Sequence, residues 1–402
     1  MSTGNIAGER GFETIHAEMA IDNALTLKLL EELVAIDSVN STLVPGACGE
    51  QRVAEHVRDF LRTHAIPAEL QEAAPHRPNV LARFGPANGT PALMLIAHID
   101  TVGPGDMTDP FMPRIGGGKM FGRGALDIKS GVAAMCAAAV SVVSERTHLS
   151  RPLLIAAVVD EECNSIGTEA LLRCGHTAEA AIVLEPTNLQ LVVAHKGYAW
   201  FEIVTHGRAA HGSLPAEGRD AIRMMGSVLV ALDELEKQLA ARRPHARLGG
   251  ASLHASLIDG GQELSSYPAQ CRLQLERRIV PGETEATVEA ELREMLAQLE
   301  KRDAQFRATL RSDLGSRPAH EIGEDSPFVE RAREAIRRAC GNCELTSMSA
   351  WTDTALLAAA GIPGVVFGPA GRGLHGADEY VEITSVHACA AALRQLILEF
   401  CQ

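Results

Sequence analysis

Apolar side chains recur at the helical period over residues 24–36 (ALTLKLLEELVAI) and again over 50–62 (EQRVAEHVRDFLR), which predicts two amphipathic helices. The pattern then changes to short, continuous apolar runs. ALMLIAH at 92–98, LLIAAVV at 153–159 and AAIVL at 180–184 read as strands buried on both faces, and the Ala-rich stretch at 133–143 between them reads as a helix. Buried strands alternating with helices predict an α/β layered domain with a mainly parallel sheet and flanking helices.

Near residue 195 the strands begin to alternate between faces. GYAWFEIVTH, ASLHASLI, QCRLQLERRIV and AQFRATLRS read as four strands, with the helical stretches AIRMMGSVLVALDELEKQLA and ATVEAELREMLAQLEKR between them. The order β-α-β-β-α-β over roughly 195–313 predicts a ferredoxin-like α+β unit with a small core of its own. SPFVERAREAIRRA then returns to helix, and GVVF at 364–367 is one more buried strand. The expected organisation is a larger domain in two segments, 1–194 and 314–402, interrupted by an inserted domain at 195–313.

Composition narrows the class. Apolar residues at 46% and charged residues at 22% are globular values. A net charge of −14 with no basic tract argues against nucleic acid as a partner. The first twenty residues lack an apolar core of signal-peptide length and no run of about twenty apolar residues is evident, so the expectation is a soluble, cytoplasmic protein without a membrane partner. Nine scattered cysteines do not make a disulfide framework, and the lone pair Cys340 and Cys343 lacks a second pair at zinc-site spacing.

Candidate chemistry gathers in loops at strand ends, where open α/β sheets place their sites. After ALMLIA comes His98-Ile-Asp100. Residues two apart in extended chain point the same way, so Asp100 can accept the proton on one ring nitrogen of His98 and leave the other for a metal. Alone, the same triplet also fits an exposed loop. Asp127, in GRGALDIKSG at 122–131, is either a metal ligand or a helix cap. Asp160-Glu161-Glu162 after LLIAAVV sets three carboxylates side by side. A cation or a bound proton would relieve their repulsion, as would solvent at an exposed turn. Glu185 directly follows AAIVL, and His375 lies in a Gly-rich turn. Together these two histidines and three carboxylates (Asp127, Glu162, Glu185) form a ligand set of the size that two first-row divalent metals sharing one carboxylate require.

With AHIDTV at 97–102, GRGALDIKSG at 122–131, VDEECNSIGTEALL at 159–172, LEPT at 184–187 and LHGADEYV at 374–381, the chain resembles the zinc aminoacylases and exopeptidases. That family includes acetylornithine deacetylase, succinyl-diaminopimelate desuccinylase and glutamate carboxypeptidase. The resemblance runs from about residue 24 to the end. It implies a zinc-peptidase-like catalytic domain and an inserted lid and dimerisation domain, hence a homodimer. It implies two divalent ions, zinc or else cobalt or manganese, bridged by Asp127. His98 and Glu185 would complete one ion and Glu162 and His375 the other. Glu161 would be the general base and Asp100 would orient His98. The peptide after Asp127 is expected to be cis. In GRAAHGSLPAEGRDAI at 207–222, His211 would steady the oxyanion, in dimeric members that of the partner subunit. In ERRIVPGET at 276–284, Arg278 would bind the substrate carboxylate, with Arg277 as its neighbour.

The activity so implied is hydrolysis of the amide bond of an N-acyl amino acid, with a short peptide as the other substrate class. Two departures bear on the substrate: Ser265 where many relatives have Asn, and Ala350-Trp351-Thr352-Asp353 where many have Gly-Gly-Thr-Asp. Trp351 adds bulk there.

Overall fold

A computed structural model describes residues 21–402; the signal-peptide expectation for the first twenty residues lies outside them. The described chain forms two compact units. One runs up to Leu191 and returns as Gly323–Leu345 and Leu357–Gln402; the other comprises Val192–Ile322 and Thr346–Leu356. The excursion at 346–356, which carries Trp351, has no counterpart in the sequence reading.

The first unit is an α/β layer structure. Its centre is four parallel strands in the order Leu153–Val158, Leu93–His98, Ala181–Leu184, Gly364–Phe367, and every residue in them is buried. Burial on both faces explains why they read as continuous apolar runs. Two further strands, Arg77–Phe84 and Ala68–Ala74, extend the sheet antiparallel beyond Leu153–Val158. Sequence periodicity missed both. AELQEAA is an edge strand whose apolar residues are broken up by Glu69, Gln71 and Glu72, and RPNVLARF opens with polar residues that are nevertheless buried.

The helix Ser130–Ser144 packs against the C-terminal helix Ile383–Cys401. Residues 125–144 are the one described segment long and apolar enough to cross a membrane, and nearly all of it is buried inside the fold. It is interrupted by Asp127, Lys129 and Ser130, and its apolar character is that of a core helix.

The second unit has four antiparallel strands in the order Ser252–Gly260, Gln270–Ile279, Gly197–His206, Ala308–Arg311. Numbered along the chain this is 2-3-1-4, the ferredoxin-like arrangement. The helices Ala221–Ala241 and Glu285–Arg302 begin at the caps Asp220 and Thr284. They close a core around Phe201, Ile203, Met225, Leu273 and Leu292. Ser252–Gly260 is an edge strand with Leu257 and Ile258 exposed.

Candidate active site

Parallel strands deliver their C-terminal ends to one rim of the sheet. His98 is the last residue of its strand and pairs with Val158, which places it beside the turn holding Asp160, Glu161 and Glu162. Ile96 pairs with Val183, so Glu185, two residues further on, comes level with His98. Backbone that side chains seldom tolerate marks these turns: Asp160 has φ +70 and His375 φ +60. The Asp127–Ile128 peptide is cis, as the resemblance implied.

Asp127 lies in a loop built to aim it. Gly124 has φ +78, and a Cβ there would stand 2.7 Å from the Thr101 methyl group, so no larger residue fits. The buried carboxylate of Glu379 then gathers the loop. It accepts the backbone N–H groups of Gly124 (3.1 Å), Leu126 (2.9 Å) and Asp127 (3.1 Å), and pairs with Arg123 at 2.6 Å. Sequence reasoning missed Glu379 and Arg123. Both lie inside the motifs that carried the resemblance, but a charged residue next to a candidate ligand reads as an ordinary loop residue.

The two oxygens of Asp127 face different histidines. Oδ1 is 3.2 Å from His98 Nε2, and Oδ2 is 3.3 Å from His375 Nε2. Glu185 Oε1 stands 3.8 Å from His98 Nε2, and Glu162 Oε2 is 3.2 Å from His375 Nε2. The five residues therefore form two clusters sharing Asp127: His98, Asp127 and Glu185, then Asp127, Glu162 and His375, with ligand atoms in each within 4.8 Å of one another. His98 Nδ1 lies 3.1 Å from the backbone oxygen of Asp100 and 3.5 Å from its carboxylate, so a proton at Nδ1 leaves the Nε2 lone pair directed at the cluster. Asp100 does more than the sequence suggested. Its carboxylate also accepts the backbone N–H groups of Glu161 and Glu162, each at 3.2 Å.

Electrostatics at the site are severe. Burial works against the charge on Asp127, yet hydrogen bonds from His375 and His98 hold its carboxyl well below the usual range. Those to Asp127 and Glu162 push His375 up to about 10. Burial raises Glu162, which His375 only partly offsets. Glu162 Oε1 is buried without a hydrogen-bond partner. A buried carboxylate oxygen left in this state costs free energy unless something cationic meets it. Imidazole nitrogen with carboxylate oxygen, and no thiolate, is a donor set suited to zinc, cobalt or manganese. The residues fit a pair of such ions.

His211 and Arg278 belong to the second unit. His211 is exposed on a loop joined by an isolated bridge to Ser266, its Nδ1 2.7 Å from the Ser213 hydroxyl. Ser265 pins the same loop by accepting the Gly212 N–H at 2.7 Å. The adjacent arginines point to opposite faces of their strand. Arg277 is buried and pairs with Glu283 at 2.6 Å, whereas Arg278 is half-buried and donates to the Ser349 carbonyl. Trp351, two residues beyond Ser349, lies edge-on to Tyr198 and His195 and donates to the Pro318 carbonyl at 3.1 Å.

Known proteins resemble this chain in sequence and in fold. An acetylornithine deacetylase of Myxococcus xanthus is 30% identical over 386 residues, covering 92% of this chain and 96% of that protein. Among solved structures, the aminopeptidase PepT of Bacillus cereus superposes with a TM-score of 0.76 at 18% identity, covering 94% of this chain and 99% of that one. The Bacillus subtilis YXEP protein, described as a dinuclear metal binding peptidase, superposes with a TM-score of 0.70 at 17% identity, covering 94% and 99%. At such low identity the two superpositions establish the fold alone. The profile of the peptidase family M20/M25/M40 matches residues 94–399, and with it the chain belongs to that family of metal-dependent hydrolases.

Proposed function

We propose that this protein is a dinuclear metal-dependent deacylase, acetylornithine deacetylase-like, that hydrolyses the amide bond of an N-acyl amino acid. The observation that carries the reading is the carboxylate of Asp127, with one oxygen toward His98 and the other toward His375. In this reading His98, Asp127 and Glu185 hold one ion, and Asp127, Glu162 and His375 hold the other, zinc being the first choice and cobalt or manganese the alternatives. When bound, such ions supply positive charge that polarises the scissile carbonyl and acidifies a water.

The chain's own groups do the rest. Glu161 takes a proton from the attacking water as its oxygen bonds to the amide carbon. It returns that proton to the amine nitrogen as the C–N bond breaks, leaving a carboxylic acid and a free amine. His211 donates to the oxygen that gains charge. Arg278 holds the carboxylate of the amino-acid part, for which a planar guanidinium is suited. Asp100 keeps His98 in one tautomer.

The second unit acts as a lid and as the interface of a homodimer in this reading. Its edge strand Ser252–Gly260, with exposed Leu257 and Ile258, leaves backbone groups and apolar surface for a second copy.

The 30% identity to an acetylornithine deacetylase favours the deacylase reading. The test is a side-by-side assay of the metal-loaded protein on N-acetyl amino acids and on dipeptides. Faster turnover of the N-acetyl series supports the proposal, and exclusive turnover of dipeptides makes the protein an exopeptidase instead.

A further inference from the structure

Behind the candidate metal ligands lies a polar network of which only Asp100 enters the reaction scheme. Its centre is Asn40, which is completely buried. One nitrogen, Nδ2, donates to Asp100 Oδ2 at 2.8 Å and to Asp160 Oδ1 at 2.9 Å. Both carboxylates are also fully buried. The other end of the amide is fixed by its surroundings: Asn40 Oδ1 accepts the backbone N–H groups of Thr42 at 2.9 Å and Leu43 at 3.3 Å. The orientation of the carboxamide is therefore set by four bonds.

Each carboxylate that Asn40 holds grips one side of the Glu161–Glu162 turn. Asp100 accepts the N–H groups of Glu161 and Glu162, each at 3.2 Å, and lies against His98. Asp160 precedes the turn, and its carboxylate accepts the Asn164 N–H at 3.2 Å. Arg77 steadies Asp160 from outside at 2.7 Å, itself held by Glu50. Among the described hydrogen bonds, Asn40 is the one side chain that donates to both carboxylates. Two such anions drawn to one point repel strongly where water is excluded. A carboxamide joins them through two N–H donors and adds no charge. Asp100 thereby keeps its full negative charge facing His98, which a lysine at the same place would cancel.

We propose that Asn40 is a positioning residue for the metal pair: by bridging Asp100 and Asp160 it fixes the turn that presents Glu161 and Glu162. The inference rests on the two-metal reading above. It assigns Asn40 no contact with substrate or metal, so its removal acts through the ligands.

The test uses the full chain stripped of metal and titrated with Co(II), recording stoichiometry, affinity by chelator competition, and the visible ligand-field spectrum, with thermal melting of the metal-free protein as a separate readout. The parent binds two Co(II). Asn40→Ala loses about 10–100-fold in Co(II) affinity, the usual scale for a group supporting a metal ligand, and its spectrum shifts. Asn40→Asp keeps the volume but offers at most one donor, and only when protonated, so it cannot bridge both carboxylates and also loses affinity. A folded Asn40→Ala with parental affinity and spectrum overturns the proposal, even if its melting temperature falls, because that is a purely structural role. If Asn40→Ala does not fold, Asn40→Ser, whose hydroxyl donates one bond, decides by the same readouts. A parent that binds no Co(II) refutes the two-metal reading itself, an outcome separate from variants that match a two-metal parent.

Discussion

Glu379 Oε1 accepts the backbone N–H of Asp127 at 3.1 Å, so the residue that faces both histidines is aimed by a second carboxylate bonded to its main chain. Because Glu379 also pairs with buried Arg123, removing it leaves a guanidinium uncompensated. Glu379→Ala is expected to lower the unfolding free energy of the metal-free protein by about 3–5 kcal/mol, the scale for breaking a buried ion pair. Urea denaturation measures it; a change under about 0.5 kcal/mol, the size of an ordinary surface substitution, would show that the pair does not organise the loop.

Glu161 is assigned the proton and no metal. Glu161→Gln should therefore retain the parental metal content and lose about 10²–10⁴-fold in kcat. Metal analysis beside steady-state kinetics checks both halves. A variant as active as the parent would remove Glu161 from the chemistry, and one that has lost an ion would make it a ligand.

The neighbouring arginines should fail in different ways. Arg278→Ala is expected to raise KM for N-acyl amino acids with a free carboxylate, with little effect on their amidated counterparts and little on melting temperature. Arg277→Ala should chiefly destabilise the fold, since it strips Glu283 of a buried partner. Equal loss on carboxylate and amide substrates in Arg278→Ala would contradict its role.

His195 predicts a pH effect on stability. Burial pushes its imidazole down to about 3, and its Nε2 is buried without a partner. In the unfolded chain the same ring titrates near 6.5. Between these values the unfolded state binds the extra proton, so stability is complete above about pH 6.5 and declines as pH falls towards about 3. His195→Gln should flatten that decline in urea midpoints measured from pH 7 to 5. An unchanged slope would mean that other groups produce it.

The parallel strands were legible because burial on both faces leaves a continuous apolar run, and the five candidate ligands because each ends or follows such a run or sits in a Gly-rich turn. Strand parity also held the answer to which arginine is buried in the core. Cys271, Leu273, Leu275 and Ile279 face the core, and Arg277 shares their parity while Arg278 does not. What was hidden were polar residues whose role appears only after folding. Asn40 and Glu379 lie 60 and 252 positions from the partners they hold, and no local pattern marks a side chain that bonds so far along the chain. The edge strand Ala68–Ala74 was hidden for the opposite reason, since half-exposed polar residues erase the apolar signal.

The central claim is that Asp127 is shared by two ions. Metal analysis of the reconstituted parent and of Asp127→Ala tests it most directly. The account predicts two divalent ions per parent chain, and the loss of tight binding at both positions in the variant. A parent that saturates with a single ion, or a variant that still holds two, would contradict it.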